Sequence, residues 1–230
     1  MAGKLTIVST PIGNMMDITI RAIRALREAD IIVAEDTRRT TKLLKFFHIE
    51  GKRLISYGVH NQTKNLPTIL NLLNQGKKLC LVTDSGTPAV ADPGGLLVDA
   101  CWKKKIQIDI MPGPSALTSA IALCGFDASK VLFVGFLPRD KKRRRLFREI
   151  KGENLLLVFF ESALRITKTL NDALEILGDC DIFIARELTK LFQQLYRGKI
   201  SEAIEIFKET KGELTVAIYI KGGRRIEKRT

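Results

Sequence analysis

The chain has 230 residues, of which 45% are hydrophobic and 27% charged, a composition that excludes a disordered or fibrous protein. Lys and Arg number 38 against 25 acidic residues, which leaves a formal net charge of +13. That excess favours a polyanionic partner, either nucleic acid or an acidic membrane surface. The length is compatible with one large domain or two compact ones.

The apolar runs are short. Residues 5–8 are followed by polar residues and Pro11, and no later run approaches the ~18 apolar residues that span a bilayer. We therefore expect a cytoplasmic protein that does not span a membrane. Binding to a membrane surface is disfavoured because no set of Trp and Leu anchors accompanies the basic residues. Because no C-x-x-C pair occurs and neither histidine has a ligand at metal-binding spacing, we expect free buried thiols and no metal site. The cysteines are Cys80, Cys101, Cys124 and Cys180.

In the first half of the chain, apolar strands alternate with helical spacing. Predicted strands lie at residues 5–9, 31–34, 54–57, 79–83 and 107–111. Asp17 is a predicted cap for the first helix, whose apolar face would hold Ile20, Ile23 and Leu26. This alternation predicts a mostly parallel sheet that is covered on both faces.

The pattern changes after a Pro/Gly-rich stretch at residues 112–130. Predicted strands lie at residues 131–136, 155–160, 182–185 and 214–221, and predicted helices at 140–150, 163–177 and 201–209. The middle helix would bury Leu164, Leu170, Leu174 and Leu177, and would end at Gly178. We therefore predict two α/β domains, residues 1–115 with a mostly parallel sheet and residues 116–230 with a mixed one.

The stretch from Asp84 to Gly95 follows a buried strand and is rich in Gly, Pro and Asp. Glycines let a ligand approach the backbone closely, and the Asp84 carboxylate can accept from a ribose hydroxyl or face a cation. The alternative is a tight connection with capping acids. Residues 11–14 and 112–115 also follow strands, so a parallel sheet would bring all three loops to one edge.

Two mixed-charge sets also follow apolar strands, residues 35–39 and residues 186–190. Charges at such positions suit substrate contacts or proton transfer, although helix capping with surface ion pairs is an alternative. The chain has no Walker A motif and no G-x-G-x-x-G after a strand, which disfavours a nucleoside triphosphatase and a Rossmann dehydrogenase.

Residues 139–151, RDKKRRRLFREIK, hold eight basic and two acidic residues. Such a run suits RNA phosphates, although many charge runs are only solvated faces. The residues 103–105 and the tail at 221–229 add positive charge. The predicted RNA contacts are Arg139, Lys141, Lys142, Arg143, Arg144 and Arg145.

Several of these motifs resemble the tetrapyrrole-methylase superfamily. The segments STPIGN (9–14), AEDTR (34–38), TDSGTPAVADPGG (83–95) and PGPSA (112–116) carry the resemblance. FFESALR (159–165) and ARELTK (185–190) are similar to the branch that methylates a cytidine ribose 2′-hydroxyl in the decoding region of 16S rRNA. Ser85 stands where Ala is usual, and Gln193 and Gln194 replace acidic residues.

The resemblance implies a homodimer that uses S-adenosylmethionine, held between the two domains, to modify 16S rRNA or the small ribosomal subunit. Asp36 or Glu187 is the predicted proton acceptor, and Lys190 or Arg38 would hold the phosphodiester. A methylase of the same fold with a tetrapyrrole or another small acceptor, or a non-catalytic RNA-binding protein, remains an alternative. The predicted donor contacts are Pro11, Asp84, Gly86, Thr87, Val90, Ser115, Ala116, Phe160 and Leu188.

Overall fold

A computed structural model describes residues 3–222 of the chain. Backbone contacts divide the chain into two compact units, Met1–Ser115 and Ala116–Thr230, which we call unit 1 and unit 2. The basic tail beyond residue 222, which the sequence adds to the positive surface, lies outside the described residues.

Unit 1 contains a five-stranded, fully parallel sheet with the order β3-β2-β4-β1-β5. Its strands are β1 Lys4–Val8, β2 Ile31–Ala34, β3 Arg53–Ser56, β4 Lys78–Val82 and β5 Gln107–Met111. Its helices are α1 Ile20–Glu28, α2 Thr37–Phe46, α3 Gln62–Asn74 and α4 Gly95–Lys103, and a 3-10 turn covers Met15–Asp17.

The strands of unit 1 bury side chains on both faces of the sheet. Val8, Ile32 and Val82 pack against α1 and α2, whereas Leu5 and Leu81 pack against α3 and α4. This two-sided burial explains why the central strands β2 and β4 are almost entirely apolar.

The chain leaves the neighbouring strands β1 and β4 towards opposite sides of the sheet. The chain passes from β1 through α1 to β2, and from β4 through α4 to β5 on the other side of the sheet. The two helices cover opposite faces, so the carboxyl ends of β1 and β4 flank a topological switch point. Parallel α/β sheets hold their ligands at such a point.

The start of α1 differs from the prediction. Thr19, not Asp17, caps the helix, since its side chain accepts the N–H of Ala22. Ile20 is 85% exposed, while Ala22 and Leu26 are buried. The intervening 3-10 turn shifts the helix start and rotates Ile20 away from the core.

Unit 2 contains a mixed sheet with the order β6-β7-β10-β8-β9, in which only β6 and β7 pair in parallel. Its strands are β6 Val131–Phe136, β7 Leu155–Ser162, β8 Asp181–Arg186, β9 Gln194–Lys199 and β10 Glu213–Ile220. Its helices are α5 Ala116–Cys124, α6 Asp140–Glu149, α7 Ala163–Leu177 and α8 Ile200–Ile206. The predicted α/β class, with one parallel and one mixed sheet, is confirmed.

Two details of unit 2 depart from the prediction. The strand β9 was not predicted, because it is an edge strand whose residues alternate between half-buried and exposed. Leu164 is 98% exposed instead of buried, whereas Leu170 lies in the core. The predicted end of α7 at Gly178 is confirmed by its φ of 88°.

All four cysteines are free, and three of them are buried. Within residues 3–222, no helix has the length and apolarity to cross a membrane. The same residues contain no cluster of three or more His, Cys, Asp or Glu that could hold a metal ion.

Candidate donor site and charged strand ends

The loops that follow β1 and β4 are joined at the switch point. The backbone N–H of Thr10 donates to Gly86 O at 2.9 Å, and the N–H of Gly86 donates back to Thr10 O at 3.1 Å. The Thr10 hydroxyl donates to Thr83 O at 3.0 Å. The two loops are therefore held in one fixed register.

The third predicted loop, which follows β5, lies beside the loops after β1 and β4. The N–H of Ser9 donates to Met111 O at 3.2 Å, and the Ser9 and Thr87 hydroxyls are 2.9 Å apart. A Cβ on Gly86 would lie 3.8 Å from Pro114 O. The structure thus brings the three loops together at one edge, as their positions after parallel strands predict.

The loop after β4 holds several left-handed backbone conformations. Ala89 and Ala91 have φ angles of 67° and 65°, which cost free energy in a residue with a side chain. Gly94 has a φ of 142°, and a Cβ there would lie only 3.1 Å from Leu81 and 3.2 Å from Ala89 N. Strained backbone of this kind clusters at ligand-binding loops.

Two carboxylates tie the loop after β2 to the loop after β4. The Glu35 carboxylate accepts the Thr83 hydroxyl at 2.6 Å and the Asp84 N–H at 3.2 Å. In return, the Asp84 carboxylate accepts the N–H of Asp36 at 3.2 Å. This reciprocal pair of bonds, which was not predicted from the sequence, fixes the start of the loop that follows β4.

Acidic groups crowd this edge of unit 1. Burial, followed by the nearby Glu35 charge, raises the pKa of Asp92 from 3.8 to about 6. Burial, again followed by Glu35, also raises the pKa of Asp84, and Arg39 at 3.5 Å offsets only part of this effect. Asp84 and Asp92 are therefore the carboxyls whose ionisation is penalised here.

Asp36, a predicted proton acceptor, is bonded to Arg38. Its carboxylate accepts the Arg38 N–H at 2.8 Å and the guanidinium at 2.8 Å, so it caps α2. The side-chain hydrogen bond from Arg38 lowers the pKa of Asp36 to about 2. This geometry fits the capping alternative and makes Asp36 a weak base.

Glu187 and Lys190 meet at the equivalent edge of unit 2. Glu187 has a φ of 48°, and its carboxylate accepts the N–H of Glu213 at 2.9 Å and the Lys190 ammonium at 3.1 Å. Burial raises the pKa of Glu187, but these two donors outweigh burial and hold it below its ordinary value. Lys190 also binds Glu213 at 2.9 Å. Glu187 therefore acts as an anchor for the loop.

The other residues predicted to contact the donor are spread over both units. Pro11 and Gly86 are buried, Val90 is 36% exposed, and Ser115 ends unit 1. In unit 2, Ala116 begins α5, Phe160 is half-buried in β7 and Leu188 is buried directly after β8.

The basic run divides into buried and exposed residues. Arg143 is 2% exposed, and its guanidinium bonds Asp172 and, at 3.2 Å, the buried Thr169 hydroxyl. Arg144 is half-buried and pairs with Asp172 at 2.7 Å and with Glu175. Four of the predicted RNA contacts are exposed, namely Arg139, Lys141, Lys142 and Arg145. A buried guanidinium whose donors are satisfied does not reach a phosphate, so Arg143 is removed from the RNA contacts.

Residues 4–204 match the family described as Tetrapyrrole (Corrin/Porphyrin) Methylases. The chain belongs to this family. A curated relative from Thermotoga maritima, named ribosomal RNA small subunit methyltransferase I, is 56% identical over 94% of this chain and 98% of its own length. A relative of the same name from Mesomycoplasma conjunctivae is 40% identical and covers 99% and 96%.

Solved structures of the family share the fold at low identity. A diphthine synthase matches with a TM-score of 0.70 and 15% identity, and covers 95% of this chain and 90% of its own. A cobalt-precorrin-4 methyltransferase of cobalamin biosynthesis matches with a TM-score of 0.69 and 17% identity, and covers 93% and 94%. At this level of identity, the likeness concerns the fold alone.

Members of this family take their methyl group from S-adenosylmethionine, and this chain is an S-adenosylmethionine-dependent methyltransferase. The edge of unit 1 at β1 and β4 fits that donor. Gly86 allows a close approach to the backbone, and the Asp84 and Asp92 carboxylates suit ribose hydroxyls or a cationic sulfonium.

Proposed function

We propose that this methyltransferase modifies the ribose 2′-hydroxyl of a cytidine in the decoding region of 16S rRNA. The observation that carries the proposal is the match, over nearly the full length of both chains, to a relative named ribosomal RNA small subunit methyltransferase I. The net charge of +13 supports it, because an RNA substrate is a polyanion.

The residues at the switch point would position the donor. S-adenosylmethionine supplies an electrophilic methyl group on a positively charged sulfur. The bridge between Thr10 and Gly86 and the bonds of Glu35 fix the loops that would hold it. Holding the reactants in line can lower a reaction barrier by ~7–11 kcal/mol, so rigid loops that hold the donor would themselves contribute to catalysis.

The predicted proton acceptors, Asp36 and Glu187, are better suited to holding their loops in place than to accepting a proton. Both carboxylates are bonded to cations or backbone N–H groups, and both have lowered pKa values. A general base works best with a pKa near the operating pH, which neither provides. Arg38, whose side chain is 87% exposed, and Lys190 stay as the proposed phosphodiester contacts.

The exposed cations of α6 support the RNA substrate. Lys141 and Lys142 make no ion pair with another described residue, and Arg145 pairs only with Glu149 on its own helix. Arg139 lies directly before the helix and is also exposed. Such cations release counterions when they meet phosphates, which drives binding. The family resemblance further supports a homodimer, and a ribosomal substrate implies a cytoplasmic location.

Methyl transfer from labelled S-adenosylmethionine to alternative acceptors tests the proposal. The acceptors are small ribosomal subunits that lack the modification, fully modified subunits and a uroporphyrin. We expect label only in the RNA of the undermethylated subunits. Label in the tetrapyrrole would establish the rival acceptor, and no donor binding by calorimetry would leave only a non-catalytic RNA-binding protein.

A further inference from the structure

One edge of the unit 2 sheet collects the carboxyl ends of β6, β7 and β8. In the strand register, Phe136 lies beside Phe160, and Ser162 lies opposite Glu213 at the start of β10. Arg186 lies opposite Leu214 and Gln194. The segments that leave these strands, including residues 187–193, therefore emerge along one edge.

Four large apolar side chains are exposed along that edge. Phe136 at the end of β6 is 59% exposed, and Leu164 in the first turn of α7 is 98% exposed. Leu191 and Phe192, in the segment between β8 and β9, are 90% and 70% exposed. We call these four residues the apolar edge. Single exposed apolar residues are common, but a row of four at one sheet edge indicates a binding surface.

Hydrogen bonds hold the segment 187–193, which carries Leu191 and Phe192. Its bonds include Glu187 N to Glu213 O at 3.0 Å, Lys190 N to Glu187 O at 3.0 Å and Thr189 N to the Gln193 side chain at 2.7 Å. Glu187 and Thr189 hold left-handed φ angles of 48° and 63°. The exposure of the two apolar side chains is thus built into an ordered loop.

Cations surround the apolar edge. Arg139 and Lys141 lie at the start of α6, which follows Phe136 along the chain, and Lys211 lies shortly before β10. All three are exposed, and none makes an ion pair with another described residue. The nearby acids are already paired, since Lys190 binds Glu187 and Glu213, and Lys168 binds Asp140.

We propose that the apolar edge binds unpaired bases of the RNA substrate, with Phe192 as the main stacking residue. RNA is the polyanion whose unpaired bases also offer flat apolar faces, and proteins read such bases by stacking them on aromatic side chains. The surrounding cations would then contact the flanking phosphates. This inference rests on the proposed RNA substrate and assigns its unpaired segment to this edge of unit 2.

A second copy of the chain is the other occupant to consider. Its binding at this edge would bring the exposed cations of two copies face to face, which opposes association through this particular surface. An RNA segment neutralises those same cations. Charge complementarity therefore favours RNA.

The test uses the double variant Leu191→Ala/Phe192→Ala and two fluorescent RNAs, a hairpin with an unpaired pyrimidine loop and a blunt duplex of matched composition. We expect the double variant to bind the hairpin about tenfold more weakly, with duplex affinity unchanged, because stacking on an aromatic side chain needs an unpaired base. Phe192→Trp should keep wild-type hairpin affinity. Trp102→Ala is the matched control, since Trp102 is an aromatic residue of unit 1 with 69% exposure.

Three results would overturn the inference. They are unchanged hairpin affinity in the double variant, equal losses for hairpin and duplex, and a shift in sedimentation of the double variant without a change in RNA affinity. The last result would assign the edge to self-association. Failure of the proposed function is separately visible, because the wild-type protein would then transfer no methyl group to undermethylated subunits.

Discussion

The strand-end edges of the two units differ in chemistry. In unit 1, the loops after β1, β2 and β4 bond to one another, and Asp84 and Asp92 carry raised pKa values. In unit 2, the corresponding edge displays Leu191 and Phe192 among exposed cations. The first edge is a rigid, acidic cradle that suits a small cationic donor. The second is a basic, partly apolar surface that suits a large anionic acceptor.

The comparison predicts that Gly86→Trp affects donor binding far more than folding. Gly86 has a φ of +85°, so a side chain there is strained by ~1–2 kcal/mol, and its Cβ would face Ile12 and Pro114 O of the two neighbouring loops at 3.5 and 3.8 Å. We expect donor affinity, measured by calorimetry, to fall by at least about 100-fold, or ~2.7 kcal/mol.

Gly152→Trp is the matched control, because Gly152 has a φ of +81° in unit 2 with open space around it. It should show the loss of stability that a side chain at a positive φ causes and keep its donor affinity. Equal donor affinity in the two variants would remove Gly86 from the donor site.

Arg143→Met should destabilise the protein although it lies in the basic run. It leaves Asp172, whose side chain is 13% exposed, without the most buried of its partners. Removing one member of a buried ion pair costs ~3 kcal/mol or more, measured by urea denaturation. Lys142→Met, one position earlier and exposed, should change stability by less than ~0.5 kcal/mol. Similar stabilities would contradict the structural role of Arg143.

Replacing Lys141, Lys142 and Arg145 by Gln should weaken RNA binding and its salt dependence. Each lost phosphate contact lowers the slope of log affinity against log salt by ~0.7, so three contacts lower it by about 2. The control replaces Lys103, Lys104 and Lys105 of unit 1, a set of equal charge. A comparable loss in the control would mean that net charge, rather than the α6 surface, determines binding.

Asp92→Asn and Asp36→Asn should change stability in opposite directions. Asp92 has a pKa of about 6 in the folded state against 3.8 when unfolded, so the folded state binds more protons between these values. Stability therefore falls as the pH rises from about 4 to 6, and Asn removes this penalty. With allowance for partial exposure, we expect Asp92→Asn to gain ~1–2 kcal/mol at pH 7.

Asp36 behaves in the opposite sense, because its pKa is lowered to about 2. Its contribution is present above its ordinary pKa of 3.8 and is lost as the pH falls towards 2. Denaturation of both variants at several pH values measures the difference. A loss of stability at pH 7 in both would contradict the view that Asp92 is penalised at this edge.

The sequence predicted the strands that lie between clear turn signals and missed one strand at the edge of a sheet. Residues 131–136 of β6 and 107–111 of β5 were predicted with their bounds, since both segments lie between clear turn signals. Strand β9 was missed because an edge strand needs few apolar residues. Leu164 fits a helical spacing, but it lies in the first turn of α7 and faces away from the sheet.

The meeting of the three loops in unit 1 was predictable from parallel strands, but the Glu35–Asp84 bonds were not. The Glu35–Asp84 bond joins residues 49 positions apart and the Asp36–Asp84 bond joins residues 48 positions apart, and both depend on β2 and β4 being neighbours in the sheet. The burial of Arg143 was predictable from the local sequence. Arg143, Phe147 and Ile150 recur at helical spacing, which places Arg143 on the apolar face of α6.

The most direct measurement is mass mapping of ribonucleosides from undermethylated small ribosomal subunits after incubation with the protein and S-adenosylmethionine. We predict that one methyl group is gained on the ribose of a single cytidine in 16S rRNA, and that the Gly86→Trp variant adds none. A methyl group on a base, on several scattered nucleotides or on no nucleotide at all would contradict the proposed function.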